Sequence, residues 1–95
     1  MAEKHNTRID KWLWAVRIFK TRAQATEACA GGKVKIDSTA VKASRKIKPG
    51  ETLLVRKGVI KYMYKVLKIA EKRMGAKLII DFVEDLTSDD ERAKL

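Results

Sequence analysis

The amino-acid sequence predicts an α+β domain, with two N-terminal helices packed on a small, mainly antiparallel sheet of about four to five strands and room for a short C-terminal helix. Three observations predict it. Apolar residues recur at helical spacing from Ile9 to Val16, a second helical run opens at Thr21 and stops at Gly31-Gly32, and from Lys33 onward the apolar period drops to two between turn residues. The chain of 95 residues is long enough for one modest core.

Each element has a local cause. With Ile9 at the centre of a helical face, Leu13 and Val16 fall within about 40 degrees of it and Trp12 lies close by, while Arg8, Lys11 and Arg17 face away. Trp14 also falls on the polar side. An indole there needs cover, for which the C-terminal segment around Phe82 is the favoured candidate, or it stacks on a base. Phe19 and Lys20 break the first helix, and Thr21-Arg22-Ala23-Gln24 reads as a capping box that starts the second. Ala25, Ala28 and Cys29 form a small-residue face for close packing on the first helix, and Gly31-Gly32 supplies a left-handed stop.

Lys33-Val34-Lys35-Ile36 alternates, with Val34 and Ile36 inward, and Asp37-Ser38 turns the chain into a second extended stretch over Thr39 to Val41. Pro49-Gly50 marks the next turn, before strands at Thr52–Val55 and Ile60–Ile69 joined near Gly58; Tyr62, Tyr64, Val66 and Lys68 share one side of the second. After Gly75, Ile79, Phe82, Val83 and Leu86 fit a helical stripe, although Leu78 to Ile80 would also serve to finish a strand. The expected organisation is a disordered segment over 1–7, one domain over 8–86 and an acidic, mobile tail over 87–95.

Composition narrows the functional class. The 22 Lys and Arg against 12 Asp and Glu give a net charge of +10. From Leu78 onward six acids oppose two bases, so the preceding body carries +14. A basic body with an acidic tail is the outline of a polyanion binder. Cys29 is the only cysteine and His5 the only histidine, so neither an internal disulfide nor a multi-cysteine metal site is expected, and the usage fits a reducing cytoplasm. No apolar run approaches the length needed to span a bilayer, so no membrane association is expected. The sequence has no phosphate-cradling glycine loop, Cys/His nucleophile pair or defensible carboxylate dyad; the expectation is a non-enzymatic protein without cofactor or metal.

The residues Arg8 to Arg17 with their paired tryptophans, then Lys20-Thr21-Arg22, then Gly31-Gly32-Lys33-Val34, resemble the RNA-binding domain first described in ribosomal protein S-four, and within that family its bacterial ribosome-associated heat-shock branch. The resemblance is specific from Arg8 to about Val55. It implies two helices packed with an antiparallel sheet, binding of structured ribosomal RNA, and association with free large subunits that carry a stalled peptidyl-tRNA. This chain departs from the enteric members by ending acidic where they carry a long basic extension.

The residue chemistry points the same way. Arg17, Lys20 and Arg22 cluster around the first turn and the start of the second helix, where free amides also favour an anionic oxygen. Lys33 and Lys35 extend the cluster if the hairpin packs alongside, and Arg8 and Lys11 add the first helix's edge. Arginine matches phosphate with a planar fork, so Arg17 and Arg22 are the expected positioning contacts, and the lysines the salt-sensitive ones. Thr21 and Gln24 are both caps and candidate contacts. Asp10 reads as a structural salt bridge or helix cap, because a carboxylate repels phosphate. The expected partner is structured RNA, ribosomal RNA of the large subunit by family resemblance, and the free protein is expected to be a monomer. The alternative is a DNA-binding helix-turn-helix regulator, against which stand an alanine-rich second helix and the lack of an evident dimerisation segment.

Overall fold

The structure, a computed structural model, describes residues 7–94; Met1 to Asn6 and Leu95 lie outside the described residues. In chain order the elements are β1 (Thr7–Arg8), α1 (Ile9–Ala15), α2 (Arg22–Ala30), β2 (Val34–Ile36), β3 (Thr39–Ala40), β4 (Lys46–Ile47), β5 (Thr52–Lys57), β6 (Ile60–Val66), a 3-10 helix (Ala76–Asp81), β7 (Val83–Asp85) and α3 (Asp89–Arg92). Strands β3-β2-β5-β6-β7 form one antiparallel sheet, and β1 and β4 pair separately. No helix among the described residues is long and apolar enough to cross a membrane.

The core is where the alternation and the helical stripe place it. Ile9, Trp12, Leu13 and Val16 of the first helical segment are buried, as are Ala25, Ala28 and Cys29 of α2 and Val34, Leu53, Val55 and Val66 of the sheet. Trp12 also anchors α1 across the fold, its indole Nε1 donating to the Lys68 carbonyl at 2.9 Å. The Thr21 hydroxyl accepts the Gln24 amide at 3.1 Å, although the return bond of a full capping box is not made. At the other end of α2, the Gly32 and Lys33 amides donate to the Cys29 and Ala28 carbonyls, a Schellman closure with Gly32 at φ 74. Asp37 and Ser38, both at positive φ, make the two-residue hairpin turn.

Several expectations are corrected. The first helix stops short of the break expected at Phe19 and Lys20: it closes after Ala15 by the same Schellman pattern, Arg17 N to Trp14 O and Ile18 N to Leu13 O, with Arg17 at φ 65 in the position that glycine usually takes. Thr7, assigned to a disordered terminus, is buried and pairs with Ile47. The segment after Gly75 is not an α-helix. Ile79 and Phe82 do pack on the core, but through a 3-10 turn, and Val83–Asp85 pairs as an edge strand with β6. Strand β6 stops at Val66 because the Leu67 and Lys68 amides both converge on the Phe82 carbonyl, two donors against one acceptor.

The described part of the acidic tail is docked. The Met63 amide donates to Thr87 Oγ1, the Lys61 amide to Glu91, and Ser88 caps α3. The short helix at this end falls at 89–92, inside the segment taken for a tail and not on the Ile79 to Leu86 stripe expected to carry it. At Trp14 the cover is Arg73, whose guanidinium lies 5.9 Å from the ring centroid and donates to the Trp14 carbonyl; Phe82 instead carries Lys68 over its ring.

Two substitutions test this packing. Leu13→Ala removes a fully buried side chain and is expected to cost about 2 to 5 kcal/mol in chemical denaturation. Arg17→Gly relieves the left-handed conformation and is expected to gain about 1 kcal/mol; a loss would mean that the arginine side chain holds the turn.

Candidate nucleic-acid interface

Asp10 organises the first cluster. Its carboxylate, 1% exposed, accepts both Nε and Nη2 of Arg8 at 3.1 and 2.9 Å and the Thr26 hydroxyl at 2.9 Å, with Arg22 Nη2 at 3.7 Å. Burial pushes the Asp10 pKa up, but the hydrogen bonds from Arg8 and Thr26 and the charges of Arg8 and Arg22 outweigh it and hold the group below the usual carboxylate value. Arg8 precedes α1 and Arg22 opens α2, so one buried anion joins two helix starts. Both arginines remain 44% exposed and keep donors facing solvent.

Beside this cluster, Lys20, Thr21 and Arg22 are all exposed at the mouth of α2. Thr21 Oγ1 takes the Gln24 amide, leaving the Arg22 and Ala23 amides of the first turn without a partner in the helix. Lys11 is drawn elsewhere, its Nζ 3.9 Å from Glu71. Arg17 is exposed at the end of α1 and lines a cleft with Ile18 and Lys57.

The second half of α2 meets the sheet. Gln24 and Lys33 line a groove of about 340 Å³ together with Phe19, Arg56 and Lys57. Lys57 ties this corner down, donating to the Ile18 carbonyl at 2.6 Å with its ammonium 5.0 Å from the Phe19 ring centroid. Its partial desolvation lowers its pKa. A second groove of about 240 Å³, lined by Lys33, Lys35, Arg56 and Lys61, adjoins through the shared Lys33 and Arg56.

The structure thus brings Arg8 and Arg22 together at Asp10, and Gln24, Lys33 and Lys35 together along the grooves, while Lys11 sits apart on Glu71. Sequence reading missed Arg56, Lys57 and Lys61. The alternation of Thr52 to Lys57, with Leu53 and Val55 inward, was the available signal for Arg56. Cys29 offers no nucleophile: burial, and then the nearby Asp10 charge, push its thiol up to about 11, so it stays protonated at neutral pH. The two tyrosines are stacked and half-buried, with ring centroids 5.9 Å apart, as sheet residues rather than a free platform.

Two helices closed by Schellman turns, a basic hairpin and an antiparallel sheet behind them define a small RNA-binding-type domain, and the S4 domain family profile matches residues 7–53. The chain belongs to the S4 domain family. It is similar to the "Heat shock protein 15 homolog" of Haemophilus influenzae, 38% identical over 76 residues, which are 80% of this chain and 57% of that protein. It is also similar to the "RQC P-site tRNA stabilizing factor" of Helicobacter pylori, 39% identical over 57 residues, 58% of this chain and 68% of that one. Among solved structures, the trimeric heat shock protein 15 of Vibrio cholerae superposes with a TM-score of 0.81 at 30% identity, covering 94% of this chain and 88% of the other. The chain spans about half the length of the curated heat-shock relatives it matches. The heat-shock branch to which the paired tryptophans point is therefore among its relatives.

The Asp10 hub yields a pH prediction. Because its folded pKa is depressed, its contribution to stability is present above the unfolded value of about 3.8 and is lost as pH falls through the lower folded pKa. Asp10→Asn is expected to cost about 2 kcal/mol at neutral pH, the scale of a hydrogen bond to a charged group. The gap between wild type and variant should close in thermal melts below pH 3.8; a gap that persists there would assign the loss to packing.

Proposed function

We propose that this protein binds structured RNA, ribosomal RNA of the large subunit in particular, in a cytoplasmic, ribosome-associated role of the heat-shock, assembly or recycling kind. It does so as a monomer when free and without catalysing a reaction. The observation that carries the reading is the shared groove in which Gln24 and Lys33 meet Arg56 and Lys57, because it joins the flank of α2 to the sheet as one surface on which three cations outnumber the single acid, Glu27. The relatives' printed names, one a tRNA-stabilising factor and another a heat shock protein, support it.

The chemistry is that of a rigid polycation. Arg22 is pre-oriented by Asp10, the open amides at the start of α2 add partial positive charge, and the lysines contribute counterion release. Such contacts read the shape and backbone of RNA more than its bases, since α2 exposes few base-reading groups beyond Arg22 and Gln24. Binding alone is enough to hold one conformation of an RNA or of a ribosomal particle over another.

The test is competition between a structured large-subunit rRNA fragment and duplex DNA of equal length at matched salt. RNA is expected to win; a preference for DNA would instead support a helix-turn-helix regulator. Replacing Arg17 and Arg22 together with Ala should weaken RNA binding and reduce the slope of log affinity against log salt by about 2, one per lost contact. Arg17 is exposed and adds little to stability, whereas Arg22 faces the buried Asp10, so a loss of about 1 kcal/mol is expected, small enough to leave the domain folded. Unchanged affinity in that variant would remove the helix pair from the interface.

A further inference from the structure

The solvent face of the sheet carries the α2 groove on to further residues, beyond those the helix pair itself supplies. In the register of β5 and β6, Arg56 stands directly opposite Lys61. The β2–β5 register, carried one residue on, sets Lys33 beside Arg56, whose amide donates to the Lys33 carbonyl at 2.8 Å. Three exposed cations therefore lie in one row across three adjacent strands, at strand spacings of about 4.8 Å. Like charges directly opposite one another destabilise a sheet.

Nearby acids offset the row only in part: Glu27 lines the groove beside Lys33 and Arg56, and the Lys61 charge acts on Glu91. None of the three side chains makes a salt bridge among the described residues. Arg56 Nε donates to the Gly58 carbonyl, and Glu91 accepts the Lys61 backbone amide and feels the Lys61 charge, while its carboxylate makes its salt bridge with Lys94. The next row on the same face is different: Lys35, Leu54 and Met63 are register partners, Leu54 is half-buried, and Met63 is 38% exposed. A cationic row beside the apolar pair Leu54 and Met63 fits a chain with an anionic backbone and flat apolar faces next to it.

We propose that the row Lys33–Arg56–Lys61 and the adjoining Leu54 and Met63 form a contact surface for unpaired nucleotides of the bound RNA, continuing across the sheet from the α2 groove through the Lys33 and Arg56 that they share. The cations take successive phosphates, and Leu54 and Met63 lie against exposed sugar and base faces. Only unpaired nucleotides offer those faces, because pairing buries them in the stack. Charge complementarity selects the polyanion, and the apolar row selects the loop over the duplex. The groove continuing from Lys33 toward Gln24 lets one RNA reach both surfaces. This inference rests on the RNA-binding reading above.

The experiment measures binding of the full chain to two RNAs, a hairpin with a purine-rich unpaired loop and a blunt duplex of the same stem. Lys61→Thr, which keeps strand propensity, is expected to weaken binding of the hairpin and to lower its salt slope by about 1. Its melting temperature should rise as the repulsion with Arg56 is relieved, which separates lost contact from lost fold. Met63→Thr is expected to weaken the hairpin severalfold and to leave the duplex unchanged. Should either variant unfold, Arg56→Gln repeats the charge test on the neighbouring strand. Wild-type affinity in Lys61→Thr and Met63→Thr, with the Arg17 and Arg22 double variant still impaired, would overturn the sheet-face surface alone. Failure of the wild type to bind either RNA would overturn the RNA-binding reading itself. Displacement of the hairpin by polyglutamate at equal charge concentration would assign the face to an acidic protein.

Discussion

A single buried carboxylate sets the geometry on which the helix-pair surface depends. Taking Asp10 out of water is costly unless its charge is matched, and it is matched by donors from three places: the residue before α1, the first residue of α2, and Thr26 a turn further along. The helices are thereby joined at their starts as well as through the small-residue contact of Ala25, Ala28 and Cys29. The entry to α1 is held from the other side, since the Ile9 and Asp10 amides donate to the Arg45 and Ala43 carbonyls. An arginine held in this way loses less freedom on meeting a phosphate than one on a mobile loop. The hub costs some charge, because Asp10 cancels one of its two arginines. In exchange their position is defined.

Much of the fold was legible because its rules are local. Helical spacing found the buried stripe of α1, the Thr21 cap and the glycine stop bounded α2, and alternation sorted the faces of β2, β5 and β6. What escaped depends on partners distant in sequence. Strands β1 and β4 are two residues each, too short for any period, and exist only because Thr7 and Ile47 meet in space. Ile79, Phe82 and Val83 did point inward as the helical stripe requires. Three successive apolar positions near a turn satisfy a 3-10 helix followed by an edge strand equally well, and pairing with β6 decides between them.

The site was legible to a similar degree and failed for a similar reason. Clustered cations near the helix starts could be named from their spacing, and Asp10 could be recognised as structural. The pairing of Lys11 with Glu71, sixty residues downstream, is one that no local spacing reveals. Arg56 and Lys61 were overlooked because a strand cation signifies little until register shows what stands opposite it. Their meaning lies in the pair. The acidic tail misled in the opposite sense: its composition suggested solvation, whereas Thr87 and Glu91 satisfy amides along the edge of β6.

Apart from the hairpin turn at Asp37 and Ser38, which requires positive φ, two local rules are broken among the described residues, and both breaches involve cations at the surface. Arg17 occupies a left-handed position where the second Schellman turn of the same molecule uses Gly32, so the chain has the better solution available and does not use it at the first helix. Arg56 and Lys61 face each other where a Thr or Glu would relieve the sheet. Neither breach contributes to packing, since all three side chains are exposed. A structure whose other levels agree tolerates such conflicts mainly where a ligand offsets them, and a ligand that offsets excess positive charge is a polyanion. The two breaches lie on different elements and arise from different physics, backbone strain in one and charge repulsion in the other; only the second carries a sign, and that sign is the one a polyanion offsets.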